Sequence, residues 1–236
     1  MMKFGALFSS LFVAALCFGQ KVDSFDMKVA DYRLLLSRKV QAECGVNEAQ
    51  RARLNKVADQ EKAKIEPYLA QVQKEGRSQD SLRTDKTYLG MLDELRLRVL
   101  EQLSLPQLKR LRELTLQSID IRGILNVTVA DKIGMSAAQL KKVRDIFSAY
   151  VKASTAIIKD VNQGIASKYK NTKVQTQAEA KSLNDSMNRQ RDEELKKHKP
   201  QFDKLEKETK RDIDAVLSAK QLAAYQALQG KPFNPK

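Results

Sequence analysis

One five-residue pattern occurs four times and sets what this chain can fold into. It reads Val46-Asn-Glu-Ala-Gln50, Leu103-Ser-Leu-Pro-Gln107, Met135-Ser-Ala-Ala-Gln139 and Leu217-Ser-Ala-Lys-Gln221. Each copy is an apolar residue, then Ser or Asn, two free positions, then Gln. An apolar residue also lies four positions beyond each Gln, at Leu54, Leu111, Val143 and Tyr225. This is how a helix begins. The Ser or Asn oxygen accepts a bond from a free N–H of the first turn, and the Gln side chain reaches back to the cap's own N–H. Each cap is worth about 1 kcal/mol. Pro106 falls in the first turn, where a missing N–H costs nothing. Asn47, Gln50, Ser104, Gln107, Ser136, Gln139, Ser218 and Gln221 are therefore expected to be capping residues. The apolar residue before the cap can staple onto Leu108, Leu140 or Leu222, but Val46 meets Arg51.

The motifs sit inside a longer duplication. Residues 35–54 (LLSRKVQAECGVNEAQRARL) align without gaps with 124–143 (ILNVTVADKIGMSAAQLKKV), an offset of 89. Gly45 and Gly134 take matching places as C-cap glycines between a short helix and a long one. Residues 99–114 align with 213–228 at an offset of 114, so the second half carries 25 extra residues. The expectation is an all-α chain of two tandem units. Each has a short helix, a capped long helix, a turn, a returning helix and a capped closing helix. The long helices are predicted over 47–75, 80–102, 137–171 and 176–216, with the second hairpin elongated into a coiled-coil-like arm. Apolar spacing agrees, for example at Leu54, Val57, Ile65, Leu69 and Val72. Between Ala166 and Pro200 apolar residues thin out, so this arm is expected to project into solvent. Pro200 should kink or break the returning helix.

Only 9 Gly and 5 Pro punctuate 236 residues, too few for the closely spaced turns of an all-β fold. The first segment, MMKFGALFSSLFVAALCFGQ, has Lys3 ahead of an apolar run from Phe4 to Phe18 and small residues before Gln20. That is a secretory leader pattern, and the run is short for a spanning helix. The expected organisation is a leader over 1–19, a first unit over 20–122 and a second over 123–236, with a periplasmic or secreted product. Cleavage leaves Cys44 as the lone cysteine, so stability must come from packing rather than from an internal disulfide. Cys44 aligns with Ile133, which favours burial.

Capped helices opening with L-T-x-x-Q are the signature of the Spy/CpxP family of bacterial periplasmic stress proteins. The four motifs resemble it, with Ser or Asn in place of Thr, and the tail string Gly230-Lys-Pro-Phe233 resembles that of double-length secreted relatives. The resemblance implies a cradle of long curved hairpins and ATP-independent holding of unfolded envelope proteins, or a regulatory role in envelope stress. It also implies frequent homodimerisation, which the doubled length leaves open here. Some members bind metals.

No residue pattern points to catalysis or a cofactor. His198 is the one histidine and stands among lysines that repel a cation. No phosphate-binding loop or nucleophile elbow occurs. The net charge is +14, and it is unevenly placed: residues 20–125 hold 20 basic and 16 acidic groups, and 126–236 hold 22 and 13. Lys168, Lys170, Lys173 and Lys181 cluster at the second hairpin's tip and, with Met187, are the client-binding candidates. Such charge attracts unfolded acidic chains or an anionic envelope surface. Nucleic acid is not expected, because no aromatics are interleaved with the basic residues for stacking. Met91, Leu97, Ile158 and Ile165 are further apolar candidates. The function expected is an exported chaperone-like binding protein, not an enzyme. The alternative is a regulatory or scaffold protein that docks one specific envelope partner.

Overall fold

A computed structural model describes residues 24–233. The expected leader lies outside the described residues. Among these residues every regular element is a helix, with no strand. No helix among them is long and apolar enough to cross a membrane. The chain divides into two units. Among the described residues, one holds 24–120 together with 227–233, and the other holds Ile121–Gln226.

The first unit opens with α1 (Phe25–Val29), a 3₁₀ turn (Tyr32–Leu36) and α2 (Arg38–Glu43). The long α3 (Glu48–Lys74) follows. Gly45, at φ +66°, closes α2 before the cap of α3. α3 runs through Pro67 without ending. Pro67 and Ala63, whose carbonyl loses its helical donor, are both exposed, so water can satisfy that oxygen. The returning helix is shorter than the predicted 80–102. Residues Gln79–Thr84 are 3₁₀, and α4 spans Lys86–Leu100. The cause is Asp85, whose Oδ1 accepts the Tyr88 N–H at 3.0 Å and so starts the helix there. Tyr68 donates to the other oxygen at 2.8 Å, and Arg77 pairs with it. α5 (Leu105–Ile119) closes the unit. Its Leu108, Leu111 and Leu114 pack with Leu54, Val57, Leu100 and Cys44 in one core.

The C-terminal segment belongs to this first unit, not to the second as the sequence boundary at 123 had it. Arg110 Nη1 donates to the Lys231 carbonyl at 2.9 Å. Gln117 Nε2 donates to the Gln229 and Lys231 carbonyls at 2.6 and 2.7 Å, and its Oε1 accepts the Phe233 N–H at 3.0 Å. Phe233 packs against the core. These pairings use side chains of α5 whose partners are backbone groups, and backbone partners leave no mark in a sequence.

The second unit repeats the element order. A 3₁₀ turn (Asp120–Leu125) precedes α6 (Val127–Lys132) and α7 (Ala137–Tyr169). α8 (Gln177–Lys197) and α9 (Lys199–Asp214) form the returning arm, and α10 (Ala219–Gln229) follows. α3 and α7 begin at 48 and 137, and α5 and α10 begin at 105 and 219. These are the offsets of 89 and 114 found in the sequence. α7, at 33 residues, is about 50 Å long. The returning arm breaks at His198, with Pro200 in the first turn of α9. α8 has no buried residue. The core gathers at the opposite end, around Ile124, Val129, Val143, Ile213 and Tyr225.

Candidate functional site

The four motif glutamines do more than cap. In the first unit Asn47 and Gln50 form the expected box, with Gln50 N–H donating to Asn47 Oδ1 at 2.9 Å and Asn47 N–H to Gln50 Oε1 at 3.3 Å. Ser104 N–H donates to Gln107 Oε1 at 2.9 Å. Each glutamine then has an amide NH₂ that capping leaves unused. Gln50 Nε2 donates to Gln107 Oε1 at 2.8 Å, and Gln107 Nε2 donates to Gln50 Oε1 at 3.0 Å. Gln107 Nε2 also donates to the Gly45 carbonyl at 2.8 Å. The second unit builds the same clasp. Gln139 and Gln221 exchange bonds of 3.0 Å each way. Gln221 Nε2 donates to the Gly134 carbonyl at 2.8 Å, and Gln139 Nε2 to the Val216 carbonyl at 3.0 Å. The clasp ties the start of each long helix to the start of the closing helix.

This explains why the motif ends in Gln. Glu caps equally well but carries no donor when ionised. The chain supplies its own contrast at Thr176, where the cap is boxed by Glu179 at an exposed hairpin tip with no facing motif. The sequence signal for the clasp was the absence of Glu from all four closing positions.

A candidate face follows from helix geometry. On α7, positions 140, 147, 151 and 158 lie within about 20° of one line at 100° per residue. Val143 and Val161, buried in the unit, lie about 60° to one side, and Ile165, on the line of the four but nearer the tip, is buried as well. Leu140, Phe147, Val151 and Ile158 therefore form an apolar stripe that flanks the packed face. Val151 is 45% exposed and Ile158 39%. Phe147 stacks on Tyr150 at 5.7 Å between centroids. Val127 on α6 is 50% exposed. α7 carries Lys141, Lys142, Arg144, Lys152, Lys159 and Lys168 against Asp145 and Asp160, so the stripe stands in a basic field. The same register on α3 is Arg51, Ala58, Lys62 and Leu69, which line an open groove in the first unit.

The predicted client-binding residues fall elsewhere. Lys168, Lys170, Lys173 and Lys181 are exposed around the hairpin tip. Met187 is half-buried, as is Met91. Ile165 is buried, and Leu97 packs against the first unit's core. Of the apolar candidates, Ile158 alone stands on the exposed stripe. The tip thus offers charge, and apolar contact lies lower on α7. His198 Nδ1 lies 2.9 Å from Gln201 Oε1. Among the described residues no group of three or more His, Cys, Asp or Glu side chains converges.

A buried carboxylate was not foreseen. Glu61 is 1% exposed, on the α4-facing side of α3. It accepts from Lys64 at 2.9 Å and pairs with Arg98. Those cations, Lys64 foremost, hold its carboxyl below the usual range against the opposing effect of burial. Both partners are themselves at least a third exposed, so the cluster sits at the hairpin's edge. Cys44 is buried, and loss of water pushes its thiol up to about 11. No family model, curated protein or solved structure matches the chain.

Proposed function

We propose that this chain is an exported Spy/CpxP-like binding protein that holds partly unfolded polypeptides without ATP. The observation that carries this reading is the apolar stripe of α7, left partly open in a basic field. Lysines at the hairpin tip draw in acidic segments over a distance, and Leu140, Phe147, Val151 and Ile158 then cover apolar side chains of the client. Each half-open aliphatic residue offers about 1 kcal/mol on full burial. Such contacts give weak, reversible capture, as a holding protein requires.

The test is light scattering of an aggregating client with stoichiometric protein and no nucleotide. Suppression is expected at low ionic strength, and it should weaken as salt shortens the Debye length. Absence of suppression at low salt refutes the proposal. Recovery of one stoichiometric partner from the envelope, with no effect on client aggregation, would favour a docking scaffold instead.

A further inference from the structure

The first unit carries a second surface that client holding does not use. Between the Tyr32–Leu36 turn, α2, α3 and α4 lies an open groove of about 600 Å³. Its lining runs along α3 from Arg51 to Leu69, which is roughly 27 Å. The floor is apolar, with Leu54, Ile65 and Leu69 facing Leu95 and Val99. Leu36, at its mouth, is 88% exposed, the most exposed large apolar residue described.

Shape selects among occupants. The groove is long and mostly apolar, running along about 27 Å of α3, a shape that suits an extended hydrocarbon chain. Its volume falls within the range of small-molecule sites, which are mostly apolar with a few placed polar groups.

Charge selects the head. Arg38, Arg51 and Lys62 line the rim against Glu66. Lys62 pairs with Glu66 at 3.4 Å, and Arg51 pairs with Glu48. Arg51 is also held by Gln41, whose Oε1 accepts its Nε–H at 2.9 Å. Gln41 is one turn beyond Arg38 on α2, so both guanidinium groups belong to the same end of the groove. We infer that the groove binds a long-chain fatty carboxylate, its head between Arg38 and Arg51 and its chain along Ala58, Ile65 and Leu69. The second unit has discarded this design: the offset of 89 replaces Arg38, Arg51 and Lys62 with Val127, Leu140 and Val151, and Ala58 with Phe147.

The experiment is calorimetric titration of the full mature chain with palmitate below its aggregation threshold. Saturable binding at one site per chain is expected, with the methyl ester at least tenfold weaker. Ala58→Phe places in the groove the side chain that the second unit carries at this register, and should weaken palmitate at least tenfold with an unchanged circular dichroism spectrum. Arg38→Gln, at an exposed site, should cost about tenfold. The inference is overturned by no saturable binding, by equal affinity for the ester, or by full affinity in Ala58→Phe. It is also overturned if an acidic amphipathic peptide displaces a fluorescent fatty-acid probe at lower concentration than palmitate does. Client aggregation assays address the α7 stripe and are unaffected by any of these outcomes.

Discussion

Replacing Gln107 by Glu separates capping from clasping, because the two predict opposite signs. As a cap residue Glu is the usual alternative to Gln, and its charge suits a helix N-terminus, so capping alone predicts no change or a gain of a few tenths of a kcal/mol. In the clasp, Gln107 Nε2 donates to Gly45 O at 2.8 Å and to Gln50 Oε1 at 3.0 Å. An ionised Glu loses both bonds and turns its oxygens toward two acceptors. At about 1 kcal/mol per lost bond, plus the cost of acceptors left poorly satisfied, the expected loss is about 2–4 kcal/mol at pH 7. Gln50 still donates to the new carboxylate, which keeps the loss toward the lower half of that range. The facing carbonyls raise the new group's folded-state pKa above its unfolded value, near 4.3 for Glu. The protonated form is then favoured in the fold. The deficit is therefore smallest below about pH 4, where the protonated group restores one of the two donors, and grows as pH rises through the raised value. The assay is urea unfolding followed by circular dichroism at pH 4 and pH 7, with Gln107→Met as an uncharged variant lacking both bonds. A Gln107→Glu protein within 0.5 kcal/mol of wild type at pH 7 refutes the clasp.

Three further outcomes follow from single sites. Cys44 should resist a thiol reagent at pH 8 in the native protein and react promptly in denaturant; stoichiometric native labelling contradicts its burial. Glu61→Gln should remove a pH-dependent stabilisation: a carboxyl held below its ordinary pKa stabilises above the unfolded value and loses that contribution as pH falls through the lowered one. Equal acid-unfolding midpoints for variant and wild type would show the cluster to be inert. Gly230→Ala puts a methyl group into the Glu113 carboxylate at a backbone φ of +65°. About 1–2 kcal/mol of tail docking should be lost, seen as faster hydrogen exchange at Phe233, and unchanged exchange there would refute the contact.

Much of the fold was legible because helix starts are written locally. Ser or Asn followed three residues later by Gln placed the first residues of α3, α5, α7 and α10, and the glycine before each long helix marked the preceding end. Pro200 foretold the break in the returning arm. What stayed hidden depends on groups brought together by tertiary folding. The C-terminal string joined the first unit through backbone carbonyls held by Arg110 and Gln117. The first hairpin's return was interrupted by Asp85, whose partners Tyr68 and Arg77 lie on or just beyond the other helix. The candidate face was half visible. Ile158 fell outside one core stripe in the sequence, but its alignment with Leu140, Phe147 and Val151 emerged only once the packed face of α7 was known.

The central claim is that α7 holds clients on its open apolar stripe. Val151→Ser with Ile158→Ser tests it most directly, since both residues are exposed and their loss leaves the core intact. About 2 kcal/mol of client contact should vanish, a ~30-fold loss of affinity, abolishing aggregation suppression at stoichiometric protein while the melting temperature stays within a few degrees. Full suppression by the double variant would contradict the claim.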